Sequence, residues 1–209
     1  MRILLLGATG LVGSHVLDMA LRDTSVEEVI APVRRPIAEH LGFRAPVVNF
    51  DNLDERPGLW SCEAVICCLG TTRKVAGSRE KFYRVDHDYP VEIARRARRA
   101  GASTFVLNSA KGADAKSSIF YSRVKGETER DILAVGFAST VIVRPGLIDG
   151  QRAEPRALER AGILFSRALA PVLPRGLKLN PAGNIARAML KTALAGPPGV
   201  TIVSSEDLA

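Results

Sequence analysis

The sequence predicts an α/β fold built on a doubly wound, mostly parallel sheet of about seven strands. Three observations carry this: short apolar runs recur along the chain, helical patterns alternate with them, and the first run ends in a glycine-rich turn that opens a helix. The runs at 2–6, 28–33, 46–50, 63–69, 104–109, 139–144 and 200–204 are apolar on both faces, as strands covered by helices on each side must be. Amphipathic patterns predict helices over 11–22, 79–100, 121–135 and 181–195. The last is bounded by Asn180 as N-cap, Pro181 in the first turn and Gly196-Pro197 past its end. Segments 34–45 and 51–62 are short and rich in Pro and Gly, so the first crossovers should lack full helices.

At 209 residues with 46% hydrophobic content, the chain suits a single domain spanning 1–209, with residues 150–180 as a small lobe or lid over the carboxyl ends of the strands. That stretch holds Pro155, Pro171 and Pro174 around Leu158, Ile163, Leu164, Phe165 and Leu169, so a packing or dimer helix is its other reading. Lys and Arg number 29 against 22 acidic residues, a net charge of +7 that favours acidic partners such as a cofactor phosphate. The opening apolar run stops after four residues at Gly7, too short for a leader core, and no segment is long enough to span a bilayer. Three cysteines without metal or disulfide spacing point to a reducing, cytoplasmic setting.

The chemistry starts at the turn GATGLVG. Gly7 permits the sharp bend, Gly10 lets a pyrophosphate approach the backbone, and Gly13 lets helix and strand pack closely. The free N–H groups of the helix that begins Leu11-Val12 would hold the anion, with the Thr9 hydroxyl beside them. This GxxGxxG spacing resembles that of extended and atypical short-chain dehydrogenases. The second strand ends in Arg34-Arg35, where an acidic residue would hold the ribose hydroxyls of NAD; two guanidiniums suit a 2′-phosphate, so the expected cofactor is NADP(H). Asp51-Asn52, after the third strand, stands where an adenine edge could be read.

Ser109 closes the fifth strand, and YSRVK follows with Tyr121 and Lys125 at i and i+4 on one helix face. A phenol can give a proton to a developing alkoxide, a neighbouring ammonium eases its ionisation and holds the ribose, and a serine hydroxyl bonds the substrate oxygen. Pro145 and Gly146, after the sixth strand, would let the backbone approach the nicotinamide. The run Arg95, Arg96, Arg98, Arg99 lacks an interleaved aromatic platform, so it is read as a solvated helix face and nucleic acid is not the expected partner.

The segments CCLGTT (67–72), FYRVDHDYP (82–90), KGAD (111–114), YSRVKGETE (121–129) and RPG (144–146) together resemble the Tat-interacting oxidoreductase family, an NmrA-like atypical branch of the short-chain dehydrogenases. The resemblance covers nearly the whole chain. It implies a Rossmann fold holding NADPH, with Ser109, Tyr121 and Lys125 in the catalytic positions, Leu69-Gly70-Thr71 beside the cofactor, and a small carbonyl compound as substrate. Members are also linked to regulation, so cofactor binding there need not mean turnover, and the alternative reading is an NADPH sensor that signals to a protein partner. One departure stands out: Val85-Asp86 occupies the place where the typical branch has a relay asparagine. Asp86 beside His87 is read here as a helix-surface pair with a structural role, and as a substitute for the relay only secondarily.

Overall fold

The computed structural model describes residues 1–53, 56, 58–149 and 179–209. Seven parallel strands form one sheet: β1 (Arg2–Leu6), β2 (Glu28–Ile30), β3 (Phe43–Arg44), β4 (Ala64–Cys67), β5 (Thr104–Asn108), β6 (Ser139–Val143) and β9 (Gly199–Val203), in the order β3-β2-β1-β4-β5-β6-β9. Two short segments, β7 (Ile148–Asp149) and β8 (Asn180–Pro181), pair separately. The helices are α1 (Leu11–Ala20), the short α2 (Arg73–Ala76) and α3 (Arg79–Tyr83), α4 (Tyr89–Arg99), α5 (Phe120–Val135) and α6 (Ala182–Ala195), of which α1, α4, α5 and α6 flank the sheet.

Because side chains alternate along a strand, each strand feeds two cores. Ile3, Leu5, Val29, Ile66, Val106 and Val141 pack with Val12 and Val16 of α1 and Ile185 and Met189 of α6. Leu4, Leu6, Ile30, Val65, Phe105 and Ile142 pack on the opposite face with Ile93 and Ala97 of α4 and Ile132 of α5. The central strands are therefore sandwiched, which is why they read as unbroken apolar runs; at the edge, β9 leaves Val200 and Ile202 exposed, so the expected burial of 200–204 on both faces does not hold, because only one neighbouring strand covers it. Strand order reverses at β1, between β2 on one side and β4 on the other, and in such a sheet the crevice at the carboxyl ends there is the natural ligand position.

Four expectations need correcting. The third strand is β3 at 43–44, ahead of the expected 46–50, and the β2 ladder stops at Ile30; beyond these, Val33 and Val47 share a single bridge. Pro32 and Pro46 explain this, since neither has an N–H to give the ladder. The expected helix 79–100 is split into α3 (Arg79–Tyr83), a π turn over Arg84–Asp88, and α4. Pro90 lacks the N–H that would bond Asp86 O four residues back; the Thr128 hydroxyl takes that carbonyl at 3.0 Å, and Tyr89 N reaches five residues back to Arg84 O. Asn180 does not cap α6, which starts from Pro181; its fully buried amide instead accepts from Gly146 N at 2.6 Å and donates to Ser205 O at 2.8 Å. The expected lobe at 150–180 falls, but for its last two residues, outside the described part of the chain.

Candidate active site

A cleft of about 510 Å³ opens at the carboxyl ends of β1, β4 and β5. One wall is the glycine turn with Thr9, Gly10, Leu11 and Val12; the floor is Cys68 to Thr72; the other wall is Asp86, Asn108, Ser109, Tyr121 and Lys125. Gly7 adopts φ +80°, and a Cβ there would stand 2.8 Å from Cys68 O, so the turn is closed both by conformation and by contact with the end of β4. At Gly13 a Cβ would lie 2.1 Å from Gly7 O, so the helix is pressed onto the turn. At Gly10 the nearest atom is Gly7 O at 3.2 Å, and the residue itself is exposed to the cleft. Gly10 is the N-cap of α1 and offers no side-chain cap, so the first amides of the helix point into the cleft with the positive end of the helix dipole behind them. This cradle fits a dinucleotide pyrophosphate.

The opposite wall is organised by two buried carboxylates. Asp86 is 2% exposed, and its Oδ1 lies 2.7 Å from Lys125 Nζ while Oδ2 accepts from Thr71 N at 2.8 Å. Burial disfavours the Lys125 ammonium, but Asp86, by its charge and its hydrogen bond, outweighs burial and raises the group above its ordinary value. Removing one partner of such a pair costs about 3–5 kcal/mol, because the other charge is left uncompensated. The second carboxylate is Glu129, one helical turn beyond Lys125. It accepts from the Ser109 hydroxyl and takes Arg144 in a fork, with Nε at 3.0 Å and Nη2 at 2.5 Å from its two oxygens. Tyr121 is 43% exposed at the rim, its ring 6.0 Å from that of Phe82. Gly126 lets α5 lie flush on the preceding loop, since a Cβ there would stand 2.1 Å from Ala115 N.

The structure thus brings Thr9, Gly10, Leu11, Val12, Leu69, Gly70, Thr71, Ser109, Tyr121 and Lys125 around one cleft, with Gly7 and Gly13 shaping its turn. The remaining expected residues stand apart from that lining. Arg34 and Arg35 are exposed past the end of β2. Asp51 is engaged by Tyr89 Oη at 2.6 Å and Arg84 Nη1 at 3.0 Å, Asn52 is exposed beside it, and Tyr89 is raised to about 12 by burial and by its bond to Asp51. Gly146 gives its N–H to Asn180, and Pro145 is buried with its carbonyl accepting from Lys111 N. Asp86 is not on the helix surface as expected but buried, on the same stripe as Pro90, Ile93 and Ala97, while His87 bridges Asp88 and Asp131 at 2.8 and 2.9 Å. Glu129 and Arg144 were legible only as part of a motif, although 121, 125 and 129 share one helix face. A second hollow, between α1 and α6, gathers Arg22, Arg187 and Leu190 but neither the glycine turn nor a strand end.

The model of the NAD dependent epimerase/dehydratase family matches residues 3–129. The chain belongs to this family. Among curated relatives, the protein called "fmp52, mitochondrial" from Aspergillus fumigatus is 38% identical over 99% of this chain and 92% of its own length. Its namesake from Eremothecium gossypii is 38% identical over 73% of this chain and 68% of its own. These names overturn the expected cytoplasmic setting, since the relatives are called mitochondrial. Solved structures share the fold: MoeE5, solved with UDP-glucose and NAD, has a TM-score of 0.74 at 18% identity, covering 98% of this chain and 75% of that one. Human epimerase family protein SDR39U1, solved with NADPH, has a TM-score of 0.63 at 18% identity, covering 98% and 74%. Among the described residues no helix is long and apolar enough to cross a membrane.

Proposed function

We propose that the protein is an NADP(H)-dependent oxidoreductase acting on a small carbonyl compound, with Tyr121 as its general acid and base. The observation that carries this reading is that one cleft joins the uncapped glycine turn to Tyr121 and Lys125. The family adds support, as do the neighbours solved with NAD or NADPH and the resemblance of YSRVKGETE to the Tat-interacting oxidoreductases. The amides from Leu11 to Gly13 hold the pyrophosphate, Leu69 to Thr71 flank the nicotinamide half, and Arg34 and Arg35 hold a 2′-phosphate. The bound cofactor supplies the hydride equivalent. Tyr121 gives its phenolic proton to the substrate oxygen, and the Lys125 ammonium behind it favours the phenolate that results. Ser109 supplies a second donor only after its hydroxyl leaves Glu129.

The engagement of both Ser109 and Lys125 by buried carboxylates favours a second reading, a nucleotide-binding regulatory protein that signals to a protein partner without turnover. The deciding experiment is to strip bound nucleotide from the purified full chain, measure NADPH and NADH affinity by calorimetry, and follow NADPH oxidation with aldehydes, ketones and quinones. Turnover abolished in Tyr121→Phe supports the enzyme. Tight NADPH binding with no oxidation of any of them supports the sensor, and no nucleotide binding refutes both.

A further inference from the structure

We propose that Asp86 is a positioning residue that holds the Lys125 ammonium charged and ties it to the backbone of the cofactor loop. The inference deepens the reading of the cleft as a reductase site and rests on it for its consequence, though not for its test. Asp86 spends one oxygen on Lys125 Nζ at 2.7 Å and the other on Thr71 N at 2.8 Å, and both side chains of the pair are withdrawn from solvent, 1% and 7% exposed. A backbone amide, a carboxylate and an ammonium thus form one continuous strut across the floor of the cleft. Gly70 keeps that strut reachable: a Cβ there would stand 3.5 Å from Asp86 Oδ1 and 3.9 Å from Lys125 Nζ, in the space a ligand enters.

Sequence explains why the strut can form. Asp86 lies four and seven residues before the buried Pro90 and Ile93, on the inward face of its segment, and since Pro90 has no N–H to give the Asp86 carbonyl, the Thr128 hydroxyl donates to it at 3.0 Å. The charged or titratable groups facing Lys125 are Asp86 from the π turn, Tyr121 from its own helix and Cys67 from β4; Cys67 is pushed up to about 12 by burial and is a neutral thiol. Asp86 is therefore the counter-charge. A buried lysine deprived of one loses its proton readily, so without Asp86 the amine would be neutral across much of the working range and could neither favour the Tyr121 phenolate nor hold a ribose as an ammonium.

The test uses the full, nucleotide-free chain labelled with 15N-lysine and 15N-threonine, with the Lys125 Nζ and Thr71 amide resonances identified by their loss in Lys125→Arg and Thr71→Ser. In the unmodified protein Lys125 should stay protonated beyond the ordinary lysine value of 10.5. In Asp86→Asn, which keeps the size and one acceptor, it should titrate at least about two pH units lower, and the Thr71 amide proton should move upfield as its acceptor loses charge. Turnover in Asp86→Asn should fall mainly on the alkaline side of the profile; an equal loss at every pH would mark a structural role and overturn the proposal. So would a Lys125 that titrates below 10 in the unmodified protein, a measurement that stands even if the variant fails to fold. Absence of turnover in the unmodified protein would sink the reductase reading while leaving these two resonances to judge the strut.

Discussion

Substituting Gly13 and Gly10 separately by alanine should split stability from binding. At Gly13 the new methyl would lie 2.1 Å from Gly7 O and 2.8 Å from Gly7 C, and both obstacles are backbone, so no side chain can swing aside. Either α1 must lift off the turn or the turn must open, and Val12 and Val16 would lose part of their packing with it. Overpacking usually costs about 1–3 kcal/mol, and a backbone obstacle belongs at or above the upper end. For a chain of this size about 3 kcal/mol lowers Tm by about 6–12 °C. At Gly10 the one close atom among the described residues is Gly7 O at 3.2 Å, which need give by only a few tenths of an ångström, so Gly10→Ala should cost about 1 kcal/mol. Yet its methyl stands in the cleft where the pyrophosphate must meet the helix amides, and NADPH affinity should fall by at least about tenfold, or 1.4 kcal/mol. Thermal unfolding and calorimetry on the two variants read both quantities. A Gly10→Ala protein that binds NADPH as the unmodified chain does would refute the placement of the phosphate, and a Gly13→Ala protein with an unchanged Tm would refute the packing argument.

Tyr121→Phe removes the acid but keeps the ring against Phe82, so NADPH affinity should hold while turnover falls by about a hundredfold or more; matching rates would exclude the phenol as proton donor. Neutralising Arg34 and Arg35 together should erase an NADPH preference of about tenfold and leave NADH affinity nearly unchanged, as isothermal titration would show; a preference that survives would place the 2′-phosphate elsewhere. Asp131 is lowered to about 2, first by Arg130 and then by His87, so its folded value lies below its unfolded one. The stability it adds is present above about pH 4 and is lost as pH falls toward 2. Urea unfolding should therefore show a gap between the unmodified protein and Asp131→Asn that narrows over this range; a constant gap would refute the linkage.

The glycine turn was legible because its residues answer to requirements that only glycine meets, a positive φ at 7 and a forbidden Cβ at 13. The central strands were legible for a similar reason, since burial on both faces leaves an apolar run that little else produces. The edge was less so: prolines at 32 and 46 stop a ladder without changing its hydropathy, and the third strand lies ahead of the run that suggested it. The inner wall of the site was the least legible. Between Arg79 and Arg99 the helical pattern sets Asp86 on the same stripe as the buried Pro90, Ile93 and Ala97, yet a carboxylate there suggests a solvated surface until the Lys125 ammonium on another helix is seen beside it. Glu129 reads as a solvated acid unless its partner Arg144, fifteen residues on and at the end of another element, is already known to face it.

Gly126 carries a consequence for anyone who would make this protein hardier. Glycine inside a helix ordinarily costs about 1 kcal/mol against alanine, which makes the middle of α5 the first place a stabilising programme would look. Here the replacement would drive a methyl into Ala115 N at 2.1 Å and the Asp114 carbonyl carbon at 2.2 Å. The absent side chain acts as a keyway: it admits the loop backbone at one angular setting of the helix, and that setting aims Tyr121 and Lys125, five and one residues earlier, at the cleft. The helix gives up intrinsic propensity for bearing, and a variant chosen for its melting behaviour at this position would trade away aim.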